Sequence, residues 1–99
     1  MAQFPIRVLD DEGRGFDLNS ETVNKIEFHH GVRHAVKMVE EALRDPDSGV
    51  FGSNSQDGRH LYYKAINKKL YMVVVADLHV NLIVTGYISD TIKKGAKIR

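Results

Sequence analysis

The stretch 60–88 decides the fold class, and it reads HLYYKAINKKLYMVVVADLHVNLIVTGYI. It divides into three runs rich in β-branched and aromatic residues, at 60–66, 70–76 and 82–88, which are typical of strands. The two segments between these runs are short enough to join them as antiparallel hairpins. The middle run is apolar on both faces, as expected of a central strand. The stretch therefore predicts a three-strand antiparallel meander.

An amphipathic helix is predicted on the amino-terminal side of the meander, at 31–44. Apolar residues recur there at i, i+3, i+4, i+7 and i+11, and they are Val32, Ala35, Val36, Val39 and Leu43. This spacing places one apolar stripe along a helix. Pro46 ends the helix, because the residue before a proline is pushed out of the helical region. The segment 45–59 is rich in Gly, Ser, Asn and Asp, which predicts a long loop.

The two ends of the chain carry weaker patterns. Apolar residues alternate over 4–8, which predicts a short edge strand because Pro5 cannot donate to a sheet ladder. The segment 16–28 is compatible with a short helix capped by Ser20 or with an extended segment. After Ser89 we expect one helical turn. The predicted fold class is α+β, with one main amphipathic helix packed on a curved antiparallel sheet, made of the meander and a possible N-terminal edge strand.

The composition indicates one soluble domain that spans 1–99. Of the 99 residues, 42% are hydrophobic and 27% are charged, which is ordinary for a globular fold. No cysteine is present, which excludes disulfides and thiolate metal sites. The longest apolar run is far below the ~20 residues of a membrane helix, and the amino terminus lacks the layout of a signal peptide. We therefore expect a cytoplasmic protein with no membrane partner.

Charge is distributed unevenly along the chain. Residues 1–58 contain 6 Lys and Arg against 11 Asp and Glu, a balance of −5, whereas residues 59–99 contain 8 against 2, a balance of +6. A basic half attracts polyanions such as RNA. Lysines placed at turns and at the end of the chain for solubility would give the same balance, so both interpretations stay open.

Several polar side chains are predicted to share one face of the sheet. If the polar sides of the three strands coincide, that face carries Tyr62, Lys64, Tyr71, Thr85 and Tyr87, with His60 as a further candidate. Aromatic rings interleaved with a lysine and a hydroxyl suit base stacking and phosphate contacts. Tyrosine and threonine are also good strand formers on a half-exposed face, so a purely structural role is the alternative.

Chemistry on the predicted helix would come from histidine. A helical wheel places His30 and His34 on the polar face and Arg33 on the flank between that face and the core. Two histidines at i and i+4 can bind a metal, but no third ligand is evident, so a solvated face is favoured. The chain also lacks the phosphate-binding loops and nucleophile motifs of nucleotide hydrolases and serine hydrolases. His, Lys, Arg, Tyr and Thr suit metal-free RNA cleavage, because the ribose 2′-hydroxyl supplies the nucleophile.

Four short motifs carry a resemblance, and in chain order they are Arg33-His34, LRDPD at 43–47, Tyr62-Tyr63-Lys64 and IVTGY at 83–87. With them the chain resembles the barnase–EndoU–colicin E5/D–RelE superfamily over about residues 29–95, and most of all its phage- and toxin-associated branches. In that superfamily a helix with a histidine packs on a curved antiparallel sheet. The resemblance implies a metal-independent ribonuclease, often a toxin that acts on tRNA or other cellular RNA.

The resemblance also implies roles for individual residues. By position, the superfamily's helix histidine would be His30 or His34, and the neighbouring cation would be Arg33. The two strand residues would be Tyr63 and Lys64, and the hydroxyl would be that of Thr85. Alternation along the strands conflicts with one of these roles, because it turns Tyr63 away from the face that carries Lys64 and Thr85. Many members have proline where this chain has Ala35.

We therefore predict a toxin-like endoribonuclease, a hydrolase of tRNA or other cellular RNA that acts by 2′-hydroxyl transesterification and needs no metal or cofactor. The predicted catalytic residues are His34 or His30, Arg33, Lys64 and Thr85. The predicted RNA-binding residues are Tyr62, Tyr63, Tyr71, Tyr87, Lys93 and Lys94. Beside RNA, the expected partner is a cognate immunity or antitoxin protein. The alternative is a non-enzymatic protein-binding module, such as an immunity-like or antitoxin-like partner or a phage accessory protein.

Overall fold

The computed structural model describes residues 3–92 and 95–99. Along them the chain forms β1 (Ile6–Leu9), β2 (Gly15–Leu18), α1 (Ser20–Asn24), α2 (Ala35–Arg44), β3 (Val50–Gly52), β4 (Arg59–Ala65), β5 (Tyr71–Asp77) and β6 (Leu82–Ser89). A π-helical turn at Lys25–His29 continues α1 directly. The predicted α+β class is confirmed, although the second helical segment means that α2 is not the one dominant helix.

The strands form a mixed sheet that is larger than the predicted meander. Within the described residues it has six strands, in the order β1-β2-β6-β5-β4-β3. The meander itself is confirmed, because β4 pairs antiparallel with β5 and β5 pairs antiparallel with β6. β2 and β6 pair in parallel where Asp17 lies beside Leu82, so the prediction of a purely antiparallel sheet is wrong.

Two short strands account for most of the difference. β2 and β3 are four and three residues long. β2 overlaps a segment that is also compatible with a helix, and β3 lies among Gly, Ser and Asp residues typical of a loop, so the sequence predicts neither as a strand. β3 lies inside the predicted loop 45–59 and continues the sheet beyond β4. The end of the chain then covers its outer edge, because Gly52 N–H donates to the Ala96 carbonyl at 2.7 Å and Ile98 N–H donates to the Val50 carbonyl at 2.8 Å.

Helix α2 begins at Ala35 rather than at Gly31 as predicted. Gly31 and His34 have φ angles of +66° and +54°, which lie outside the right-handed helical region. His30, Arg33 and His34 therefore precede the helix, and the assignment of these three residues to its polar face and flank is wrong. The segment that leads into α2 is instead an irregular stretch whose polar side chains are exposed.

The apolar stripe of α2 packs on one face of the sheet, which we call the helix face. The stripe residues Val32, Ala35, Val39 and Leu43 are buried as predicted, and Val36 is partly buried against them. Facing them from the sheet are the apolar side chains of Val8, Phe16, Leu18, Tyr62, Met72, Val74, Ala76 and Ile83. This packing forms the larger of the two apolar clusters in the described structure.

The sheet curls around α2. Phe16 on β2 and Tyr62 on β4 have ring centroids 6.4 Å apart, with the rings edge to face. In a flat sheet, β2 and β4 would be separated by three strand spacings, or roughly 14 Å. The two rings lean toward each other across the helix face, and β1 lies in contact with α2, so the sheet curves toward the helix at this end of the core.

The opposite face of the sheet carries a second apolar cluster, and we call this surface the aromatic face. Its buried members are Leu61, Tyr63, Val73 and Val75, and the partly buried residues packed on them are Phe51, Tyr71, Val84, Tyr87 and Ile92. By pairing with Val75, Thr85 also belongs to this face. The aromatic face is the part of the molecule in which most of the predicted binding residues meet.

The structure decides the two segments whose sequence pattern is weak, 16–28 and the residues after Ser89. For 16–28 the helical alternative holds from Ser20 onward, where α1 begins after the N-cap residue Asn19. After Ser89, residues 90–92 are not helical; the Ser89 hydroxyl instead accepts a hydrogen bond from the Thr91 N–H at 3.1 Å. No helix among residues 3–92 and 95–99 is long and apolar enough to cross a membrane.

Candidate functional site on the aromatic face

The five polar side chains predicted to share one face divide between the two faces of the sheet. The register of β4 on β5 pairs Tyr63 with Val73, so Tyr63 lies on the aromatic face with Tyr71, Thr85 and Tyr87. Tyr62 and Lys64 alternate with Tyr63 and lie on the helix face. The prediction that Tyr63 points away from Tyr62 and Lys64 is confirmed, but the assignment of Thr85 to the side of Lys64 is wrong.

Tyr62 is a core residue rather than a surface for bases. Its side chain is 1% exposed, and its hydroxyl donates a 2.8 Å hydrogen bond to the carboxylate of Asp10. Burial and this carboxylate raise the pKa of the Tyr62 phenol well above its usual value. An RNA base cannot reach a ring in this position, so the predicted RNA-binding role of Tyr62 is not compatible with the fold.

Lys64 belongs to the junction between α2 and β4. Its ammonium group lies 3.0 Å from the Asp45 carboxylate and 3.6 Å from the Asp47 carboxylate. Asp47 also accepts the backbone N–H of Ala65 at 2.9 Å, which ties the end of the helix to the strand. The hydrogen bond to Asp45, followed by the charge of Asp47, raises the pKa of Lys64. The sheet therefore separates this cation from Thr85, with which it was predicted to act.

On the aromatic face the rings form a connected row. The Tyr63 ring makes edge-to-face contacts with Phe51, at 5.6 Å between centroids, and with Tyr71, at 6.2 Å. Tyr63 itself is only 1% exposed, so it supports its neighbours from below. Tyr71 and Phe51 are half-buried, and they present the accessible part of this row.

Thr85 has a side-chain oxygen that the fold does not use. The oxygen is buried and has no hydrogen-bond partner in the structure. The register of β6 on β5 shifts between Val75 and Ala76, so Val84 is an extra residue just before Thr85. Such a bulge re-aims the side chains that follow it and is common beside active sites. It places Thr85 and Tyr87 on the aromatic face although Ile83 lies on the helix face.

His30 reaches the edge of this face from the segment before α2. Its ring lies 5.9 Å from the Tyr87 ring, with 49° between the ring planes. The π-helical turn before His30 packs its buried residue Ile26 in the helix-face cluster, and it lies against the edge of β6, where the Lys25 ammonium donates a 3.0 Å hydrogen bond to the Val84 carbonyl. Burial raises the pKa of the Tyr87 phenol above its usual value, so the phenol remains a hydrogen-bond donor over a wider pH range than an exposed tyrosine.

The other predicted residues are not brought to the aromatic face by any contact. His34 and Arg33 are exposed, and His34 holds a left-handed backbone conformation at the N-cap of α2. In the described parts of the chain neither residue has a hydrogen bond, ion pair or ring contact with the aromatic face. Lys93 and Lys94, predicted to bind RNA, lie outside the described residues.

One charged pair on the aromatic face is absent from the sequence-based prediction. Arg59 opens β4 and lies opposite Asp77 on β5, with 3.7 Å between Arg59 Nε and the carboxylate. Arg59 comes two residues before Leu61, so strand alternation alone would have placed it on this face. The predicted strand began at His60, and Arg59 was therefore assigned to the preceding loop.

The described residues contain no evident metal site. Across 3–92 and 95–99, no group of three or more His, Asp or Glu side chains is placed to hold a metal ion. His30 and His34 do not share a helix, so the i, i+4 spacing that would let them bind one metal is lost. No protein-family model matches this chain, and no curated protein or solved structure matches it.

Proposed function

We propose that this protein is a metal-independent endoribonuclease that binds RNA on the aromatic face. One observation carries the proposal: the unpartnered Thr85 hydroxyl lies on the same face as the half-buried rings of Tyr71 and Tyr87. The His30 ring lies against Tyr87 at the edge of this face. Tyrosine rings on a sheet stack on RNA bases, and histidine transfers protons near neutral pH.

The proposed reaction is a transesterification within the RNA backbone. A base removes the proton of a ribose 2′-hydroxyl, the 2′-oxygen bonds to the adjacent phosphorus, and the bond from phosphorus to the 5′-oxygen breaks. An acid donates a proton to the departing 5′-oxygen. The products are a 2′,3′-cyclic phosphate and a 5′-hydroxyl. The protein has to supply only proton transfer and hydrogen-bond donors for the phosphate charge.

The contacts at the edge of the face favour His30 over His34 as the first proton-transfer group. His30 is exposed enough to meet solvent and substrate, and its ring is positioned by Tyr87. Tyr87 keeps its phenol protonated and can donate to a phosphate oxygen, as can the hydroxyl of Thr85. His34 and Arg33 are in the same exposed segment as His30, and they remain the candidates for the second proton transfer and the cation.

The nature of the substrate and of the partner rests on the resemblance to the superfamily alone. By that resemblance the substrate is tRNA or another cellular RNA, the activity is that of a toxin, and a cognate immunity or antitoxin protein restrains it. The accessible rings on the aromatic face favour single-stranded RNA, because bases in loops and bulges can be turned out to stack on them.

The test is cleavage of RNA without divalent metal. Purified protein is incubated with total tRNA in EDTA, and the products are separated on a denaturing gel and examined for cyclic-phosphate ends. We expect discrete fragments, and we expect His30→Ala to lower the rate by roughly 10²–10⁴-fold, as for the loss of a general acid or base. His79→Ala is the matched control, because this exposed histidine lies in the turn between β5 and β6.

Two outcomes would overturn the proposal. Intact RNA at every pH from about 5 to 8 would favour the alternative, a protein-binding module without enzymatic activity. Cleavage that His30→Ala and His34→Ala both leave within a factor of about three of wild type would remove histidine from the chemistry. An oligonucleotide with a single 2′-deoxy nucleotide at the cleaved position separates the mechanisms, since transesterification requires the 2′-hydroxyl.

A further inference from the structure

Two buried polar atoms on the aromatic face lack partners. Among the described residues, Arg59 Nε and Thr85 Oγ1 are the buried side-chain nitrogen and oxygen atoms without a hydrogen bond. Most buried polar atoms in folded proteins have a partner, so each exception needs a reason. Here the two exceptions lie on one surface, which points to a common cause.

The register of the sheet places these two residues on the two strands that flank β5, offset by two residues along it. Arg59 on β4 lies opposite Asp77 on β5, and Thr85 on β6 lies opposite Val75, two residues earlier on the same central strand. The two side chains thus flank β5 from either side, and the long arginine side chain spans part of the gap. Both atoms are buried in the fold, so a small ligand above β5 would reach them after the two side chains rotate toward the surface.

Asp77 does not fully satisfy Arg59. Its carboxylate oxygen is 3.7 Å from Arg59 Nε, which is an ion-pair distance and too long for a hydrogen bond. The other carboxylate oxygen accepts the His79 backbone N–H at 2.8 Å. Asp77 therefore attracts the arginine by charge without using its Nε donor, and it competes with a bound anion for the guanidinium.

The loop after β3 carries polar residues and lies beside the start of β4. Ser53 N–H donates to the Arg59 carbonyl at 2.9 Å, which fixes the loop to the start of β4. A cavity of about 80 Å³ lies next to it and is lined by Gly52, Ser53, Asn54, Ser55, Leu61 and Gly95. One of these lining residues, Leu61, belongs to the aromatic face.

We infer that Arg59 and Thr85 form a phosphate-binding subsite for RNA on the aromatic face. This inference rests on the proposed function and adds the cation that binds the backbone. The Arg59 guanidinium and the Thr85 hydroxyl donate hydrogen bonds to non-bridging phosphate oxygens, and Arg59 turns from Asp77 toward the anion. A phosphate is favoured over a protein carboxylate because half-buried tyrosine rings on the same face offer stacking positions for the attached bases.

The test measures binding of a 2′-O-methyl RNA oligonucleotide, which has no free 2′-hydroxyl to react, as a function of salt. Each phosphate contact on a single strand contributes about 0.7 to the slope of log K against log salt. We expect Arg59→Gln to weaken binding about tenfold or more and to reduce the slope by about 0.7, since a hydrogen-bonded charge is lost. Arg44→Gln is the control, because Arg44 is exposed at the end of α2 and far from the aromatic face.

Thr85→Val tests the hydroxyl separately from folding. Valine has nearly the shape of threonine, so the variant should keep or raise the free energy of unfolding, because a buried oxygen without a partner is removed. RNA binding should nevertheless weaken, by about three- to tenfold. A residue with only a structural role would not lose binding while stability is retained.

Asp77→Asn keeps the inference testable if Arg59→Gln does not fold. Asparagine still accepts the His79 N–H, but it no longer competes for the arginine, so RNA should bind more tightly. The inference is overturned if the Arg59→Gln slope equals that of wild type, or if Asp77→Asn binds no more tightly, while wild-type cleavage is intact. If wild type does not bind RNA at about 50 mM salt, the proposed function and this inference both fail.

Discussion

The Tyr62 hydroxyl donates a 2.8 Å hydrogen bond to the carboxylate of Asp10 beneath the curled sheet. Asp10 is 7% exposed, and it also accepts the backbone N–H groups of Glu12 at 2.9 Å and Arg14 at 2.8 Å. One carboxylate therefore shapes the turn between β1 and β2 and attaches it to β4. Arg99 adds an ion pair at 3.4 Å, so the end of the chain joins the same cluster.

Tyr62→Phe is expected to destabilise the fold by about 1–3 kcal/mol, because a buried carboxylate loses a donor and cannot regain it from water. Denaturant unfolding measures this loss. Tyr71→Phe is the control, because the Tyr71 hydroxyl has no hydrogen bond among the described residues. Its free energy of unfolding should stay within about 0.5 kcal/mol of that of wild type. A Tyr62→Phe variant as stable as wild type would show that the Asp10 cluster does not hold the hairpin.

Val39→Ala is expected to cost about 1–3 kcal/mol, the sum of lost apolar transfer and a residual cavity. Val39 is fully buried at the centre of the α2 stripe, where it packs against the helix face. The free energy of unfolding is again the measurement. Lys37→Ala, on the exposed side of the same helix, should change it by less than about 0.5 kcal/mol. Equal effects of the two substitutions would contradict the packing of the α2 stripe on the helix face.

The extent of the sequence-based prediction follows from the length of each pattern. The meander and the carboxyl end of α2 were predictable because long periodic runs and Pro46 specify them. The start of α2 was not, because the positive φ angles at Gly31 and His34 leave no mark on the apolar spacing. Val32 keeps its place in the stripe and is buried, although it precedes the helix.

The face assignment failed for a different reason. Positions 62 and 63 are both tyrosine, so the sequence of β4 fits the sheet in two registers. A slip of one residue moves every side chain of β4 to the opposite face of the sheet. The bulge at Val84 then breaks the alternation along β6 between Ile83 and Thr85. Neither the register nor the bulge is encoded in the period of the residues. Which polar groups share the aromatic face therefore depends on three-dimensional pairing.

Lys64→Ala is expected to leave RNA cleavage within a factor of about three of wild type and the salt dependence of binding unchanged, because the sheet separates it from the aromatic face. Its ion pairs with Asp45 and Asp47 are partly exposed, so the stability loss should be within about 1 kcal/mol. Cleavage assays and denaturant unfolding measure the two effects. If Lys64→Ala is as well folded as wild type and its cleavage rate is nevertheless a hundredfold lower, Lys64 takes part in catalysis after all.

His60 should make the fold less stable as the pH falls through the range of histidine titration. Burial first, and then the charges of Arg99 and Arg14, lower its pKa, while Asp10 and Glu12 partly oppose them. In the unfolded chain the imidazole has its ordinary pKa of about 6.5. Below that value the unfolded state binds a proton that the folded state binds less readily. The free energy of unfolding therefore decreases as the pH decreases.

The comparison that isolates His60 is denaturant unfolding at about pH 7.5 and pH 5.5, a window in which ordinary carboxyl groups stay ionised. Wild type should lose stability between the two values, and His60→Gln should lose less, because glutamine cannot take up the proton. The four other histidines are exposed and common to both proteins, so their contribution cancels. If the two proteins lose the same amount of stability, His60 is as easily protonated in the fold as in the unfolded chain, and its burial beside Arg99 does not hinder its charging.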